Sequence, residues 1–256
     1  MRPPSVLNTL SPHRRDQERT DMTRHAVVTG GTAGIGRELV AQLIEDGWEV
    51  HCCGRSRAAL DELAAHPRVH ATPLELRDAH ATAAWAEQLE RATDGRIGLL
   101  LLNAGVQHEG PHERRTPASI ADEVAVNLTA PALLTARLWR ALRAADGAVV
   151  FVSSGLALVP RTDAALYSAT KAALSSFATA LRRRPERGVA VTDVLLPMVD
   201  TAMTAGRGDG GKLQAREAAR AILAAARADR RVGIGRARAL PALAWAAPWL
   251  ARRVIR

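Results

Sequence analysis

Apolar positions recur along the chain with two spacings, one typical of strands and one typical of helices. Short apolar runs predict strands at residues 25–29, 48–53, 69–74, 97–102, 147–153 and 189–196. Apolar residues three and four positions apart predict helices at residues 34–46, 57–65, 79–93, 118–144 and 166–184. The runs LLLLN and AVVFVS are apolar at consecutive positions, which is typical of strands covered by helices on both faces. The pattern predicts an α/β fold with a doubly wound parallel sheet in a single domain.

The two ends of the chain lack this alternation. Residues 1–21 are polar and contain prolines without an apolar period, so we predict a disordered N-terminal tail before a folded domain over residues 22–235. Residues 236–256 form a basic segment that carries Trp245 and Trp249. The segment has three interpretations: it lies on an anionic membrane surface, it covers the substrate pocket or a subunit interface, or it packs as a helix on its own domain.

The formal net charge of +9 belongs to the ends of the chain. Residues 227–256 hold eight arginines against one aspartate, and residues 1–24 hold five arginines against three acidic residues, so the body between them is neutral. A nucleic-acid enzyme more often carries a basic face on the folded body itself. We therefore predict no nucleic-acid partner.

The cysteines and the first residues bear on the location of the protein. Cys52 and Cys53 are adjacent in a predicted strand, where their side chains point to opposite faces and are poorly placed to bridge each other. Residues 1–20 lack the apolar core of a secretory signal. Both features predict a reducing, cytoplasmic setting.

A glycine-rich loop joins the first predicted strand to the first predicted helix. It reads TGGTAGIG over residues 29–36. Glycines let the backbone approach a pyrophosphate, and the positive N-terminal end of the following helix favours the same anion. The loop and its place after a strand predict a dinucleotide-binding Rossmann fold, and no metal site is predicted. The predicted contacts are Gly30, Thr32, Gly34, Ile35 and Gly36.

The end of the second predicted strand bears on which dinucleotide binds. NAD-binding proteins place an acidic residue there to hold the adenosine ribose hydroxyls. Here Gly54 removes the carboxylate that would repel a 2′-phosphate, and Arg55 offers a guanidinium to bind it. We therefore predict NADP in preference to NAD.

The rarest residues of this chain have a spacing suited to proton transfer. The sequence contains one tyrosine, two lysines and three asparagines, and the tyrosine, Tyr167, has Lys171 four positions later. On a helix these positions share a face, so an ammonium can sit near the phenol. A nearby cation lowers the phenol pKa from about 10, and the phenol can then donate a proton to a carbonyl oxygen or accept one from an alcohol.

Together these motifs resemble the short-chain dehydrogenase/reductase family, from residue 25 to about residue 204. The TGxxxGxG loop, a serine thirteen residues before the tyrosine and the YxxxK spacing follow the family's order. The resemblance implies four catalytic residues: Asn127, Ser154, Tyr167 and Lys171. In the family's scheme Ser154 hydrogen-bonds the substrate oxygen, Lys171 also holds the nicotinamide ribose, and Asn127 holds a water in a proton relay.

The resemblance also implies cofactor contacts beyond the glycine-rich loop. They are Glu75 and Leu76 near the adenine, Asn103, Ala104 and Gly105 beside the adenosine, Tyr167 and Lys171 beside the nicotinamide, and Val199 and Thr201 at the carboxamide. Glu75 stands where the family usually has an aspartate, and Leu196-Pro197 stands where it usually has Pro-Gly. Because proline has no backbone N–H, any cofactor contact from that amide is absent.

The resemblance implies an NADP-dependent oxidoreductase. Such an enzyme transfers a hydride between the nicotinamide and a small-molecule carbonyl or alcohol, with Tyr167 as general acid and base. Family members commonly pair two long helices, here 118–144 and 166–184, so a homodimer or homotetramer is expected, and the loop at 202–212 is expected over the substrate. Two alternatives on the same fold stay open: a non-catalytic NADP-binding regulatory protein, and a peripheral membrane protein in which segment 236–256 dominates.

Overall fold

The computed structural model describes residues 24–184, 188–207 and 211–246, apart from the side chain of Trp245. The predictions for the N-terminal tail and for Trp249 fall outside these residues. Within them, strands and helices alternate along the chain.

Seven strands form one parallel sheet. The strands of the described residues are β1 (His25–Thr29), β2 (Glu49–Gly54), β3 (Val69–Pro73), β4 (Leu99–Leu102), β5 (Ala148–Ser154), β6 (Ala190–Leu196), β7 (Val199–Asp200), β8 (Leu213–Gln214) and β9 (Arg231–Gly233). The sheet has the order β3-β2-β1-β4-β5-β6-β9, and β7 pairs with β8 apart from it. Since the strand order changes direction between β1 and β4, the carboxyl ends of these strands open a crevice, which is the usual ligand site of such sheets.

Helices cover both faces of this sheet. They are α1 (Gly34–Glu45), α2 (Arg57–Ala64), α3 (Ala79–Ala92), α4 (Pro117–Val124), α5 (Ala130–Ala144), α6 (Ala165–Arg182), α7 (Ala215–Ala225) and α8 (Leu240–Ala246). Apolar residues of α1 and α7 join the core on one face, and those of α3, α5 and α6 join the core on the other. The predicted doubly wound parallel sheet is confirmed.

Polar side chains fix the starts of several helices. The Asp78 carboxylate accepts the Ala81 N–H at 2.9 Å before α3, and the Thr116 hydroxyl accepts the Ser119 N–H at 3.1 Å before α4. Such N-caps satisfy amides that have no partner within the helix. Pro117 follows Thr116 at the first helical position, where a missing N–H costs nothing.

The two cysteines of β2 lie in different cores. Cys52 packs on the α1 side of the sheet and Cys53 on the α3 side, so the strand geometry keeps their sulfurs apart. Both thiols are buried and free, and burial raises the pKa of Cys53 to about 12. A thiol with such a pKa stays protonated and unreactive at neutral pH.

The long helix predicted at 118–144 is interrupted in the structure. Helices α4 and α5 are joined by a π-helical turn, Ala125–Thr129, in which Asn127 is fully buried. A π turn inserts one residue into a helix and is frequent at functional sites. The apolar pattern predicted one continuous helix over 118–144 and did not reveal this insertion.

The described C-terminal part adds elements that the sequence pattern did not predict. Helix α7 packs against α1, and β9 extends the sheet beside β6. The short helix Gly235–Ala239 and α8 place Ala237 and Leu240 against Leu195 and Val159. The described half of the basic segment thus lies on its own domain. None of the helices in the described part of the chain is long and apolar enough to cross a bilayer.

Candidate active site

A cleft of about 690 Å³ opens at the carboxyl ends of the strands. Its walls include the glycine-rich loop after β1, the ends of β2 and β5, and the segment after β6. Every site residue predicted from the sequence lines this cleft except Asn127, which lies behind its wall. The structure therefore brings these residues together, while their individual roles stay predictions.

The glycine-rich loop has a shape that requires glycine at two positions. A Cβ on Gly36 would lie 1.9 Å from the carbonyl oxygen of Gly30, so the loop cannot close with a side chain there. Gly34 begins α1 with a φ of +51°. Ala33 at the N-cap supplies no side-chain acceptor, so the first amides of α1 remain for a ligand. This bare helix N-terminus, approached through backbone alone, fits a pyrophosphate.

Thr29 joins the glycine-rich loop to the end of β4. Its hydroxyl oxygen accepts hydrogen bonds from the backbone N–H groups of Asn103 and Ala104, each at 3.0 Å. The Asn103 side-chain amide donates to the Thr29 carbonyl at 3.0 Å. These bonds hold Asn103, Ala104 and Gly105 beside the loop. Thr29 was missed as a site residue, although it opens the TGxxxGxG motif.

The end of β2 forms the part of the cleft predicted to hold the adenosine. A Cβ on Gly54 would lie 2.4 Å from Cγ2 of Thr32, so glycine makes room for Thr32 as well as removing a carboxylate. Arg55 is exposed at the rim. Glu75 also lines the cleft, and its carboxylate is 3.7 Å from the Arg77 guanidinium. Arg55 and Glu75 thus both lie at this end of the cleft.

Tyr167 and Lys171 lie on the first turns of α6, close to Ser154 at the end of β5. The Ser154 hydroxyl lies near the Tyr167 phenol and lowers its pKa. The Lys171 ammonium is 5.6 Å from the centre of the Tyr167 ring, and it donates to the Val152 carbonyl at 2.9 Å. The helical spacing thus places the cation beside the phenol.

Burial governs the pKa of both groups. It raises the pKa of Tyr167 to about 12, and a hydrogen bond from Ser154 and the charge of Arg207 offset this in part. It lowers the pKa of Lys171 to about 8, against the attraction of Asp193. The phenol pKa thus lies above its ordinary value, opposite to the shift predicted from Lys171, because burial is the largest cause.

The raised pKa of Tyr167 can be measured directly, because the chain has no other tyrosine. At pH 10 an ordinary tyrosine is about half ionised, whereas we expect Tyr167 to stay neutral. The measurement is the ultraviolet absorbance of tyrosinate in the folded, cofactor-free protein at that pH. The protein unfolded in guanidinium is the control, and equal tyrosinate absorbance in the two samples would show that burial does not act on the phenol.

A buried chain of hydrogen bonds lies behind Lys171. The Asp193 carboxylate, fully buried on β6, accepts from the Ser175 hydroxyl and from the Arg231 guanidinium, each at 2.8 Å. The hydroxyls of Ser175 and Ser153 are 3.2 Å apart. The negative charge of Asp193 limits the fall in the Lys171 pKa that burial causes.

Asn127 is held in the π turn by its neighbours. Its amide donates to the Val106 carbonyl and its oxygen accepts the Val106 N–H, each at 2.8 Å. The amide also donates to the Thr170 hydroxyl at 3.2 Å. A Cβ on Gly105 would lie 3.4 Å from both Asn127 Oδ1 and Lys171 Nζ, so these two side chains border the same small space.

The segment after β6 lies against the glycine-rich loop. Cγ2 of Thr201 is 3.0 Å from the place a Cβ on Gly34 would occupy. Val199 is buried in β7, and Pro197 lines the cleft. The contact between Thr201 and Gly34 brings this segment and the N-terminus of α1 to the same end of the cleft.

Residues 24–211 match the family model described as short chain dehydrogenase. The chain belongs to the short-chain dehydrogenase/reductase family. It is therefore an oxidoreductase, and the family resemblance seen in the TGxxxGxG and YxxxK motifs is confirmed.

Relatives of this short-chain dehydrogenase/reductase support the assignment. Uncharacterized oxidoreductase DltE of Bacillus subtilis is 37% identical over 188 residues, which cover 71% of this chain and 74% of that protein. A short-chain dehydrogenase from Sphingobium yanoikuyae, solved in complex with NADPH, has a TM-score of 0.76 at 26% identity and covers 89% of this chain and 91% of its own. A 3-ketoacyl-(acyl-carrier-protein) reductase from Brucella melitensis, complexed with NADH, has a TM-score of 0.76 over 83% of this chain and 97% of its own. At 20% identity it shows the fold alone.

Four cationic residues of the short-chain dehydrogenase/reductase cleft were not among the predicted site residues. They are Arg161, Arg207, Lys212 and Arg236. Two of them belong to the loop expected over the substrate, one lies between Ser154 and Tyr167, and one begins the basic C-terminal segment. No pattern in the sequence marked these cations, since arginines are frequent in other loops of the chain as well.

Proposed function

We propose that this family member is an NADP-dependent oxidoreductase that transfers a hydride between the nicotinamide and a small-molecule carbonyl or alcohol. Tyr167 acts as general acid and base. The observation that carries the proposal is the position of its phenol, which lies in a cleft shaped for a dinucleotide, near Ser154 and beside the Lys171 ammonium. A regulatory protein that only binds NADP has no need of this arrangement.

The residues present fit a dinucleotide. The glycine-rich loop closes only without side chains at Gly36, and it leaves the first amides of α1 for the pyrophosphate. When bound, the nicotinamide ring supplies or accepts the hydride. Thr201 and Val199 lie at the end of the cleft where they can hold its carboxamide, and Pro197 offers no N–H there.

In the direction of carbonyl reduction, Tyr167 gives its proton to the carbonyl oxygen. A pKa of about 12 keeps the phenol protonated at neutral pH. The Lys171 ammonium, with a pKa of about 8, is mostly charged at pH 7 and favours the phenolate that forms. Ser154 orients the substrate oxygen, and Asn127 borders the space beside Lys171 through which a water returns the proton.

A panel of carbonyls and alcohols tests the activity. The change in NADPH absorbance is followed with benzaldehyde, acetophenone and methyl 3-oxobutanoate, and with the corresponding alcohols and NADP⁺. We expect turnover of at least one compound by the unmodified protein, with Tyr167→Phe as the blank. No turnover across the panel, or equal rates for the two proteins, would contradict the proposal.

The preference for NADP rests on Gly54 and Arg55, and the NADPH complex of the Sphingobium relative supports it. We expect Arg55→Asp to weaken NADPH binding about 10- to 100-fold more than NADH binding, because a charge-assisted contact with the 2′-phosphate is replaced by repulsion. The Kd of each cofactor is measured by titration calorimetry. Arg57→Asp is the matched control, since Arg57 is exposed at the first residue of α2 and does not line the cleft. If Arg55→Asp leaves the ratio of the two Kd values unchanged, Arg55 does not contact the phosphate.

Self-association and location complete the proposal. We propose a cytoplasmic homodimer or homotetramer formed through the segments 118–144 (α4, the π turn and α5) and 166–184 (α6), which this family commonly pairs. Sedimentation velocity tests the oligomer, and a monomer at micromolar concentration would refute it.

Peripheral membrane contact through segment 236–256 stays a prediction, which co-sedimentation with anionic vesicles, with and without that segment, would test.

A further inference from the structure

Cationic side chains line the part of the cleft that holds Tyr167. Arg161, Arg207, Lys212 and Arg236 all belong to its wall. Among the described lining residues Glu75 is the one acid, and it lies after β3 at the end of the cleft assigned to the adenosine. The four cations have no part in the proton transfer or cofactor binding proposed above.

These cations come from separate segments that converge on one place. Arg161 belongs to the loop between β5 and α6, and its backbone N–H donates to the Ser168 hydroxyl at 3.3 Å. Arg207 and Lys212 belong to the loop between β7 and β8, and Arg236 belongs to the short helix before α8. Three segments that are distant from one another in the sequence thus each bring positive charge to the same cleft.

Arg207 acts on the Tyr167 phenol. Its charge lowers the pKa of the Tyr167 phenol, opposing the effect of burial, so the guanidinium lies within electrostatic reach of the group that meets the carbonyl oxygen. Its side chain is 17% exposed and ion-paired through Nη1 to Glu109. The Gly110 N–H in turn donates to the Asp163 carbonyl at 3.2 Å. The loop after β4 therefore holds Arg207 in the wall of the cleft.

The hydrogen bonds that these cations make within the protein do not use all of their N–H donors. Arg207 gives one nitrogen to Glu109, and Arg161 gives Nε and Nη2 to Asp163. Because a guanidinium has five N–H groups, both arginines keep donors for a ligand. Lys212 gives one of its three N–H groups to the Thr204 carbonyl at 2.5 Å. Two carboxylates against four cations leave this end of the described cleft positively charged.

We propose that the substrate carries an anionic group, a carboxylate or a phosphate monoester, in addition to its carbonyl or hydroxyl. Arg207 and Arg161 bind that group directly, and Lys212 and Arg236 add to the positive potential. The inference rests on the proposed oxidoreductase function and names its substrate class. The cofactor phosphates are assigned to other groups, namely the glycine-rich loop and Arg55, so the cofactor does not account for these four cations. Guanidinium groups suit the planar, bidentate recognition of such anions.

The test uses two matched pairs of carbonyl compounds with NADPH. The first pair is 3-oxobutanoate and its methyl ester, and the second is dihydroxyacetone phosphate and dihydroxyacetone. We expect kcat/KM for the anion to exceed that for its neutral partner in at least one pair. A higher value in the first pair alone assigns a carboxylate, and in the second pair alone a phosphate. Equal or lower values for the anion in both pairs would overturn the proposal.

The variant Arg207→Gln tests the residue. We expect it to lower the anion-to-neutral ratio of kcat/KM about 10- to 100-fold, as for the loss of one charge-assisted hydrogen bond. Arg57→Gln, at the exposed start of α2, is the matched control and keeps the ratio. Circular dichroism and the Kd for NADPH check folding, and Arg161→Gln replaces Arg207→Gln if that variant does not fold. An unchanged ratio in the folded variant would overturn the assignment.

A protein that lacks the proposed oxidoreductase activity would give a different result from one that lacks the anion site. If neither member of either pair is reduced, the proposed oxidoreductase function fails for these compounds, and binding decides the anion site. Calorimetric titration of the NADPH-bound protein with 3-hydroxybutanoate and with inorganic phosphate is expected to show binding that Arg207→Gln weakens. No binding of either anion, or equal binding by the variant, would refute the site.

Discussion

Replacing Tyr167 by Phe is expected to lower kcat by about 10²- to 10⁴-fold, the range for removal of a positioned general acid. The substitution keeps the ring that packs at the start of α6 and removes only the hydroxyl that contacts Ser154. The proton that must reach the carbonyl oxygen then has no donor at that position. We expect the Kd for NADPH to stay close to its original value, since the glycine-rich loop and Arg55 are untouched. Steady-state kinetics with the best compound of the panel measure the first quantity, and calorimetry measures the second.

The matched control for this experiment removes another hydroxyl from α6. The Thr179 hydroxyl donates to the Ser175 carbonyl at 2.9 Å, and Thr179 does not line the cleft. Thr179→Ala is therefore expected to keep normal turnover. If Tyr167→Phe also kept the original kcat, the proton would have to come from another group, and the general-acid role of Tyr167 would be rejected.

The parts of this protein that are predictable from its sequence are those determined locally. The strand at Leu99–Leu102 is apolar at every position because helices cover both of its faces, and the sequence shows this directly. The glycine-rich loop is equally local, since the requirement at Gly36 comes from the carbonyl of Gly30 only six residues earlier. Tyr167 and Lys171 share a helix. Short-range geometry therefore predicted the doubly wound sheet, the glycine-rich loop and the pairing of Tyr167 with Lys171.

The features that were missed depend on contacts between distant segments. Arg207 meets Glu109 across 98 positions of sequence, and no periodicity predicts that pair. Asp193 acts on Lys171 through the buried interior between β6 and α6. The direction of the Tyr167 pKa also depends on tertiary burial, which the helical spacing of the tyrosine and lysine does not contain. The motifs thus predicted that Tyr167 and Lys171 lie together. The pKa values of these two groups depend on burial and on distant charges, which only the tertiary structure shows.

The same effect of burial on charge acts far from the cleft, at three histidines that lie side by side on β1, β2 and β3. His51 is 5% exposed, its Nε2 lies 3.2 Å from Nδ1 of His25, and its ring stacks on that of His70 at 4.6 Å. Burial, with a smaller contribution from the two neighbouring histidines, lowers the pKa of His51 to about 4. Burial also lowers the pKa of His25, which the Glu49 carboxylate partly opposes. The folded sheet therefore holds His51 in its neutral form.

We expect the free energy of unfolding to fall as the pH drops from about 6.5 toward about 4. Above 6.5 His51 is neutral in both states, and below it the unfolded chain binds a proton that the folded chain refuses until about pH 4. Linkage gives a loss of roughly 2 kcal/mol by pH 5 and roughly 3 kcal/mol by pH 4 from this one group. Urea unfolding at pH 7.5 and pH 5 measures it, and His51→Gln is expected to remove that part of the loss.

Carboxylates also titrate between pH 7.5 and pH 5, so the loss of stability in His51→Gln is compared with the loss in a control variant. His80 is exposed on α3, so His80→Gln keeps the full loss of stability between pH 7.5 and pH 5. His51→Gln is expected to be less stable than the original protein at pH 7.5, because it places an amide in the buried position, yet to lose less on acidification. Equal losses for His51→Gln and His80→Gln would mean that His51 takes up its proton in the folded protein as readily as in the unfolded chain, and that burial in the sheet does not exclude its charge.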